Sequence, residues 1–150
     1  MLGYFDDPEA TAAVFDEDGF FRTGDYGRIE EVDGDKWIYI TGRLKNLIIF
    51  SNGKNVYPEE IENKLNNLPY VAESLVIDNK GELEALIYPD YDALAHEKVD
   101  RDDVEKIMNQ NIDTLNQELP GYSKVKKMKL MSEEFEKTPK RSIKRFLYQP

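Results

Sequence analysis

Residues 42–62 read GRLKNLIIFSNGKNVYPEEIE, and the rest of the chain is organised around this stretch. Its first four residues form a short polar joint. The apolar run Leu47–Phe50 follows and predicts a buried strand. Asn52 and Gly53 predict a tight turn, because glycine has no Cβ and tolerates a positive φ. Pro58 then opens a predicted helix with acidic side chains in its first turn, where they favour the helix dipole.

Upstream of the joint, residues 1–19 predict a loop and a short helix, and residues 20–41 predict β-structure. The apolar runs Tyr26–Val32 and Trp37–Ile40 flank Asp33 and Gly34, and two such runs around an Asp-Gly pair indicate a hairpin. An isolated hairpin is marginally stable in water. We therefore expect this one to belong to a larger sheet.

Downstream of the joint, the residue pattern predicts one α+β domain. The apolar spacing gives the order hairpin, helix, strand, strand, helix and strand. This order predicts a small mixed sheet with helices on one face. After the first helix, the predicted elements are the strands Val71–Ile77 and Leu83–Tyr88, a polar loop over residues 89–100, a helix from Arg101 to about Leu119 and an edge strand Val125–Met131.

Composition excludes several classes of function. The 150 residues carry a formal net charge of −10 at pH 7, which disfavours nucleic acid as a partner. No cysteine is present, which excludes disulfides, a thiolate metal site and a cysteine nucleophile. The one histidine, His96, lies in a polar stretch and is predicted to be a surface residue, and we predict no metal site. No apolar run approaches the roughly 20 residues of a membrane-spanning helix and no signal peptide is evident, so we expect a cytoplasmic protein.

Two residues near the joint are candidates for nucleotide binding. Asp25 follows a glycine turn, and its carboxylate can accept hydrogen bonds from both hydroxyls of a ribose. It is equally typical of an aspartate that caps its own turn. Arg43 ends a predicted strand, where its guanidinium fork can contact ribose or phosphate. The alternative is a solvated arginine at the end of a hairpin.

A basic segment closes the chain. Lys137–Arg145 reads KTPKRSIKR and carries five cations and no acid in a chain of net charge −10. Such a segment can place a lysine on a phosphate or carboxylate. It is also consistent with an unstructured basic tail or a nucleic-acid contact, and these alternatives stay open at the level of composition.

Three motifs taken together resemble a known family. FFRTGDYGRI, then the stretch over residues 42–62, and finally EKTPKRSIKR resemble the C-terminal part of adenylate-forming (AMP-binding) enzymes, in particular the long-chain fatty-acid–CoA ligases or acyl-CoA synthetases. The resemblance implies activation of a carboxylate by ATP and Mg²⁺ to an acyl-adenylate, followed by transfer of the acyl group to the thiol of CoA. It also implies a large N-terminal domain ending with residues 1–41, a hinge at 42–45, and a mobile lid over 46–150.

The resemblance assigns roles to individual residues. Asp25 would bind the ribose hydroxyls, and Arg43 would contact ribose or phosphate. Lys45 occupies the hinge position. The residues that would face CoA are Asn52, Gly53 and Lys54.

The C-terminal motif departs from the family pattern. That pattern resembles K-T-P-T-G-K-I-R-R, and its sixth residue is a catalytic lysine, whereas this sequence has Ser142 there. A serine cannot supply the positive charge that stabilises the developing adenylate. Lys140 is a possible substitute. The alternative is that the chain is a non-catalytic binding or regulatory relative of the same fold.

The resemblance also sets expectations for ligands and partners. The phosphate-binding loop and the acyl pocket of the family lie in the N-terminal domain, which is not in this sequence. We therefore expect the chain to be a fragment that is inactive alone, with the N-terminal catalytic domain as its partner. ATP or AMP, Mg²⁺, CoA and a fatty acid are expected in the full-length protein, together with a possible peripheral membrane contact.

Overall fold

A computed structural model describes residues 1–150, apart from the side chains of residues 101 and 102. The chain divides into two compact units, which we call unit 1 (residues 1–45) and unit 2 (residues 46–150). The interpretation of these units as the end of a large domain and a mobile lid stays a prediction. The helices are α1 (Pro8–Val14), α2 (Pro58–Leu65), α3 (Tyr91–His96) and α4 (Arg101–Glu118), and the strands are β1 (Asp25–Val32), β2 (Asp35–Arg43), β3 (Ile48–Ile49), β4 (Asn55–Val56), β5 (Val71–Asn79), β6 (Glu82–Pro89) and β7 (Val125–Leu130).

The helices are modest in length and amphipathic. In the described part of the chain, none has both the length and the apolar character needed to cross a membrane.

Unit 1 is built on the predicted hairpin. β1 and β2 pair antiparallel around a two-residue turn, and the turn residues Asp33 and Gly34 have φ angles of 55° and 87°. These positive angles match the turn type that Asp-Gly favours, and the predicted hairpin is confirmed. A bulge lies between Tyr26 and Gly27. A Cβ on Gly27 would lie 2.8 Å from the carbonyl oxygen of Tyr39, so the backbones approach too closely there for a side chain.

The main sheet of unit 2 has the order β5-β6-β7. β5 and β6 are antiparallel, whereas β6 and β7 are parallel, so the sheet is mixed as predicted. A parallel connection needs a crossover, and α3 and α4 supply it between β6 and β7. The predicted α+β fold class is confirmed.

The helices pack on one face of this sheet. Side chains alternate along β5, so Val76 faces the helices while Leu75 and Ile77 face the opposite side. The three- and four-residue spacing of apolar residues in α4 brings one face of that helix onto the sheet. The principal buried residues on the helix side are Ile61, Leu65, Val76, Ala85, Ile87, Leu94, Val104, Met108, Ile112 and Leu115.

The opposite face of the sheet is covered by residues 131–148, which we call the C-terminal segment. Phe135 is 3% exposed and packs with Leu75, Ile77 and Leu86. The Phe135 and Tyr148 rings meet edge to face with their centroids 5.1 Å apart. The segment is therefore part of the core of unit 2, which its basic composition did not indicate.

Two local predictions were wrong. Residues 89–100 are not a continuous loop, because α3 forms there and Asp90 caps it by accepting a hydrogen bond from the Ala93 N–H at 2.9 Å. Leu47–Phe50 is not a buried strand. β3 contains two residues, and Ile49 is 66% exposed.

We expect Ile87→Ala to destabilise unit 2 by about 3 kcal/mol, because it opens a cavity at a fully buried position. Ile49→Ala is the matched control. Because the Ile49 side chain is exposed, this substitution should change the free energy of unfolding by less than about 0.5 kcal/mol. Urea denaturation followed by far-UV circular dichroism reports the helices of unit 2, whereas the single tryptophan, Trp37, lies in unit 1. Equal losses for the two variants would contradict this assignment of the core.

Candidate functional site

The two predicted nucleotide-binding residues lie side by side in unit 1. Asp25 begins β1 and Arg43 ends β2, and they are direct partners in the antiparallel register. Arg43 Nε lies 2.9 Å from Asp25 Oδ1. The left-handed backbone of Gly24, with φ 74°, precedes Asp25, and the Asp25 N–H donates to Thr23 Oγ1 at 3.1 Å.

This pair is accessible to a ligand. The Arg43 side chain is 57% exposed and the Asp25 side chain is 25% exposed. The contact at 2.9 Å runs through Nε. The carboxylate can accept hydrogen bonds from vicinal hydroxyls, and the guanidinium beside it can donate hydrogen bonds to an anionic oxygen. A ribose phosphate carries both kinds of group.

The joint leads into a short, exposed loop. Lys45 lies in a 3₁₀ turn, Leu44–Asn46, and its side chain is exposed. In the loop that follows, the Gly53 N–H donates to the Phe50 carbonyl at 2.8 Å, and Gly53 has φ 75°. The predicted turn is confirmed.

The neighbour of this loop was missed from the sequence. The Lys54 ammonium lies 5.5 Å from the centroid of the Tyr122 ring, a cation–π contact. Tyr122 also lines a cleft of about 270 Å³ that lies between β4, α2 and the 3₁₀ turn Gly121–Ser123. The loop that carries Asn52 and Gly53 therefore stands at the rim of a cleft.

The C-terminal motif forms a tight loop, Thr138–Ser142. The Arg141 N–H donates to the Thr138 carbonyl at 2.8 Å, and the Thr138 N–H donates to the Ser142 carbonyl at 2.8 Å. A bridge between Lys137 and Ile143 closes the base of the loop. Both Lys140 and Ser142 are exposed, so the loop presents them together to solvent.

Cations on either side of this loop are paired within unit 2. Hydrogen bonds to Glu73 and Glu134 raise the pKa of Lys137. The remaining pairs join Lys144 to Glu136 at 2.9 Å and Arg145 to Glu62 at 2.6 Å. The basic segment is an ordered part of the fold rather than an unstructured tail, and Lys140 and Arg141 are its exposed cations.

The pair between Glu62 and Arg145 is largely buried, with side chains 11% and 15% exposed. Arg145 Nη2 lies 2.6 Å from both carboxylate oxygens of Glu62, while Nη1 donates to the Val76 carbonyl at 3.2 Å. The Val76 N–H donates to Glu62 Oε1 at 2.6 Å. Burial raises the pKa of Glu62 above its ordinary value of 4.5, and the positive charge of Arg145 opposes that shift.

Metal binding finds no support in the described residues. Among them, no group of three or more His, Cys, Asp and Glu side chains lies close enough together to hold a metal ion. His96 is exposed at the end of α3, as predicted for a surface residue.

The predicted site residues thus form three groups. Asp25 pairs with Arg43 in unit 1, the residues predicted to face CoA lie on the turn between β3 and β4, and Lys140 shares the C-terminal loop with Ser142. Sequence reasoning missed Glu62, Tyr122 and Arg145 as partners of these groups. Arg145 was visible only as one of five cations, and its partner lies 83 positions away.

Comparison with known proteins finds a family model and similar sequences. The family model described as AMP-binding enzyme C-terminal domain matches residues 45–148. A 3-[(3aS,4S,7aS)-7a-methyl-1,5-dioxo-octahydro-1H-inden-4-yl]propanoyl:CoA ligase from Rhodococcus jostii is 53% identical over 77 residues, which are 51% of this chain and 14% of that protein. Long-chain-fatty-acid–CoA ligase FadD13 from Mycobacterium tuberculosis is 49% identical over 88 residues, 56% of this chain and 16% of that protein.

Solved structures extend the likeness to nearly the whole chain. The adenylation domain of a carboxylate reductase from Mycobacterium chelonae matches with a TM-score of 0.80 and 26% identity, over 97% of this chain and 24% of that one. ATP-bound MatB from Rhodopseudomonas palustris matches with a TM-score of 0.70 and 28% identity, over 97% of this chain and 27% of that one. The chain therefore spans about a quarter or less of these relatives.

We expect Glu62 to make the stability of unit 2 depend on pH. Its raised pKa means that the folded chain holds this proton more tightly than the unfolded chain does. The stabilisation from Glu62 is thus complete below the unfolded pKa and is lost as pH rises through the raised folded pKa. Urea denaturation between about pH 4 and 8 should show the unmodified chain losing stability relative to Glu62→Gln as pH rises. The same pH dependence in both proteins would refute this.

Proposed function

The chain belongs to the family of AMP-binding enzyme C-terminal domains, and from that premise we propose that it is the lid of an ATP-dependent acyl-CoA ligase. The relatives are acyl-CoA ligases and the structural neighbours are adenylate-forming enzymes, so the resemblance stated from the sequence is confirmed. The observation that carries the proposal is the family match over residues 45–148. The proposed reaction joins a carboxylate to AMP with release of pyrophosphate, and then transfers the acyl group to the thiol of CoA.

We assign each unit a part in this reaction. Residues 1–41 are the β-rich end of a large N-terminal domain, 42–45 are the hinge with Lys45 at its pivot, and 46–150 are the lid. The chain spans 14% and 16% of the length of two ligase relatives, which supports the presence of a larger partner domain. Alone, the 150 residues form neither adenylate nor thioester.

The pair of Asp25 and Arg43 is the proposed nucleotide contact. The carboxylate accepts hydrogen bonds from the ribose hydroxyls, and the guanidinium donates to ribose or phosphate. The 2.9 Å ion pair orients both groups before the nucleotide arrives. ATP or AMP fits this donor and acceptor set, and Mg²⁺ would enter with the nucleotide phosphates, since the described residues supply no carboxylate cluster for it.

The loop containing Asn52, Gly53 and Lys54 is the proposed CoA-facing surface of the lid. Gly53 has φ 75°, which glycine adopts without strain because it has no Cβ. Nothing lies within 4 Å of the point that a Cβ would occupy. Lys54 is exposed at the rim of the adjacent cleft, beside Tyr122. An exposed cation there favours the phosphates of CoA.

Lys140 is the proposed cation of the adenylation step. Ser142 stands where the family pattern has lysine, and Lys140 projects from the same loop of five residues. Adenylation develops negative charge on the carboxylate and α-phosphate, which a positioned ammonium stabilises.

Long-chain fatty acid is the proposed acyl substrate, on the likeness to FadD13. The Rhodococcus relative is named for a ring-bearing propanoate instead, so the acids to compare are a long-chain fatty acid and aryl or ring-bearing acids. We further propose that the full-length ligase works in the cytoplasm and meets its lipid substrate through a peripheral membrane contact.

Ser142 supports a second candidate function. A relative that has lost the lysine charge can keep the fold as a non-catalytic binding or regulatory module. The two functions differ in whether the Lys140 ammonium stabilises the negative charge that develops during adenylation.

A graft separates the two functions. Residues 46–150 replace the lid of an active long-chain ligase, and ATP–pyrophosphate exchange measures adenylation. We expect the graft to be active, and we expect Lys140→Met to lower exchange about 100-fold because it removes the charge. Lys144→Met is the matched control, since its ammonium is already paired with Glu136 at the surface.

The opposite pattern would favour the non-catalytic relative. In that case the unmodified graft is inactive and Ser142→Lys restores exchange. Thioester formation by the isolated 150-residue chain would overturn the lid proposal altogether.

We expect Asp25→Asn to raise the KM for ATP about tenfold or more, because charge-assisted hydrogen bonds to ribose are lost. The assay requires the full-length ligase. Asp35→Asn, at the turn end of the same hairpin, is the control and should leave the KM for ATP unchanged. A change in kcat alone, with the KM for ATP intact, would contradict a ribose contact.

A further inference from the structure

The loop Thr138–Ser142 is held by the segment on either side of it. On one side, Phe135 is buried in the core and Lys137 pairs with Glu73 at 2.5 Å. On the other side, the first largely buried ion pair is that of Arg145, three residues after Ser142. The loop itself is exposed, so its position depends on these anchors.

Arg145 contacts two elements of unit 2. Its guanidinium binds both oxygens of Glu62 on α2 and the carbonyl of Val76 on β5. β5 is an edge of the main sheet, so the outward N–H and C=O of Val76 have no neighbouring strand to pair with. Glu62 accepts a hydrogen bond from that N–H and Arg145 donates one to that C=O. The two side chains thus satisfy the backbone groups that a neighbouring strand would otherwise pair.

This geometry fixes the register of the C-terminal segment. An apolar contact such as that of Phe135 with Leu75 and Ile77 holds the segment against the sheet but tolerates sliding. The forked, directional contacts of Arg145 define one position along β5. The backbone N–H of Lys144 also donates to the Glu136 carbonyl at 2.8 Å. This hydrogen bond joins the residues that follow the loop to those that precede it, so both sides share one register.

We propose that Arg145 is a positioning residue for adenylation, because its contacts with Glu62 and Val76 set where the loop Thr138–Ser142 presents Lys140. The proposal rests on the function proposed above. It adds that the buried pair serves the first half-reaction rather than stability alone. Displacement of a reacting group by about 1 Å can cost a hundredfold in rate, so a loss of register is enough to slow adenylation.

The test separates the two half-reactions in the full-length ligase. ATP–pyrophosphate exchange reports adenylation, and CoA thioester formation from preformed acyl-adenylate reports the second step. We expect Arg145→Met to lower exchange about tenfold or more while thioester formation changes by less than about twofold. Arg145→Lys keeps the charge without the fork and should give an intermediate loss, which preserves the comparison if the methionine variant unfolds.

A second measurement needs no activity. Trypsin cleaves after Lys140 and Arg141, which lie in this loop, and cleavage follows local opening. We expect the initial cleavage rate there to rise at least about fivefold in Arg145→Lys and Arg145→Met of the 150-residue chain. Lys144→Met is the matched control, because it removes an adjacent surface ion pair and should leave both assays within about twofold.

The outcomes are distinct. An inactive unmodified ligase would refute the proposed function, while faster cleavage in the Arg145 variants would still support control of the loop. With an active ligase, an equal fall in both half-reactions would show that Arg145 supports stability only and would overturn the positioning role. Unchanged cleavage would overturn it as well.

Discussion

The edge of the sheet at Val76 is the constraint on which unit 2 depends. A buried or half-buried backbone N–H and C=O need partners, and an edge strand lacks them on one side. Here a carboxylate from α2 and a guanidinium from the C-terminal segment satisfy the two groups of one residue. Because Glu62 and Arg145 also bind each other, three elements that are distant in sequence are joined at one point. Removing either partner of such a buried pair leaves the other unpaired, which typically costs about 3–5 kcal/mol.

The same constraint explains how charge is divided along the basic segment. Lys137 and Arg145 form ion pairs that attach the segment to β5 and α2, whereas Lys144 pairs with Glu136 inside the segment. The positive charge that remains exposed is concentrated in the loop at Lys140 and Arg141. In a chain of net charge −10, this loop offers exposed positive charge to an anionic ligand. The paired cations therefore lie on either side of the loop that carries the exposed ones.

Local sequence signals predicted local structure well. The Asp33-Gly34 turn, the helix that begins at Pro58 and the helical spacing in α4 depend on residues close together in the chain, and all three are present. Partnerships across long separations were not predictable, as with Glu62 and Arg145. Nothing in the spacing of one arginine distinguishes it from the four other cations of its segment. The short helix α3 was missed for a related reason, because six residues are too few to show a helical periodicity.

The backbone of the C-terminal loop shows why Ser142 need not mean lost geometry. Arg141 has φ 61°, a left-handed conformation that costs an ordinary side chain about 1 kcal/mol and that glycine adopts freely. The family pattern has glycine at this position. The loop keeps the shape that suits glycine although arginine stands there, so the shape is imposed from outside, by the Thr138 hydrogen bonds and by the anchors on either side. A loop whose form is set by its surroundings can exchange the side chains it presents without moving its backbone. That separation of shape from side chain supports the proposal that Lys140 supplies the positive charge while Ser142 occupies the family lysine position.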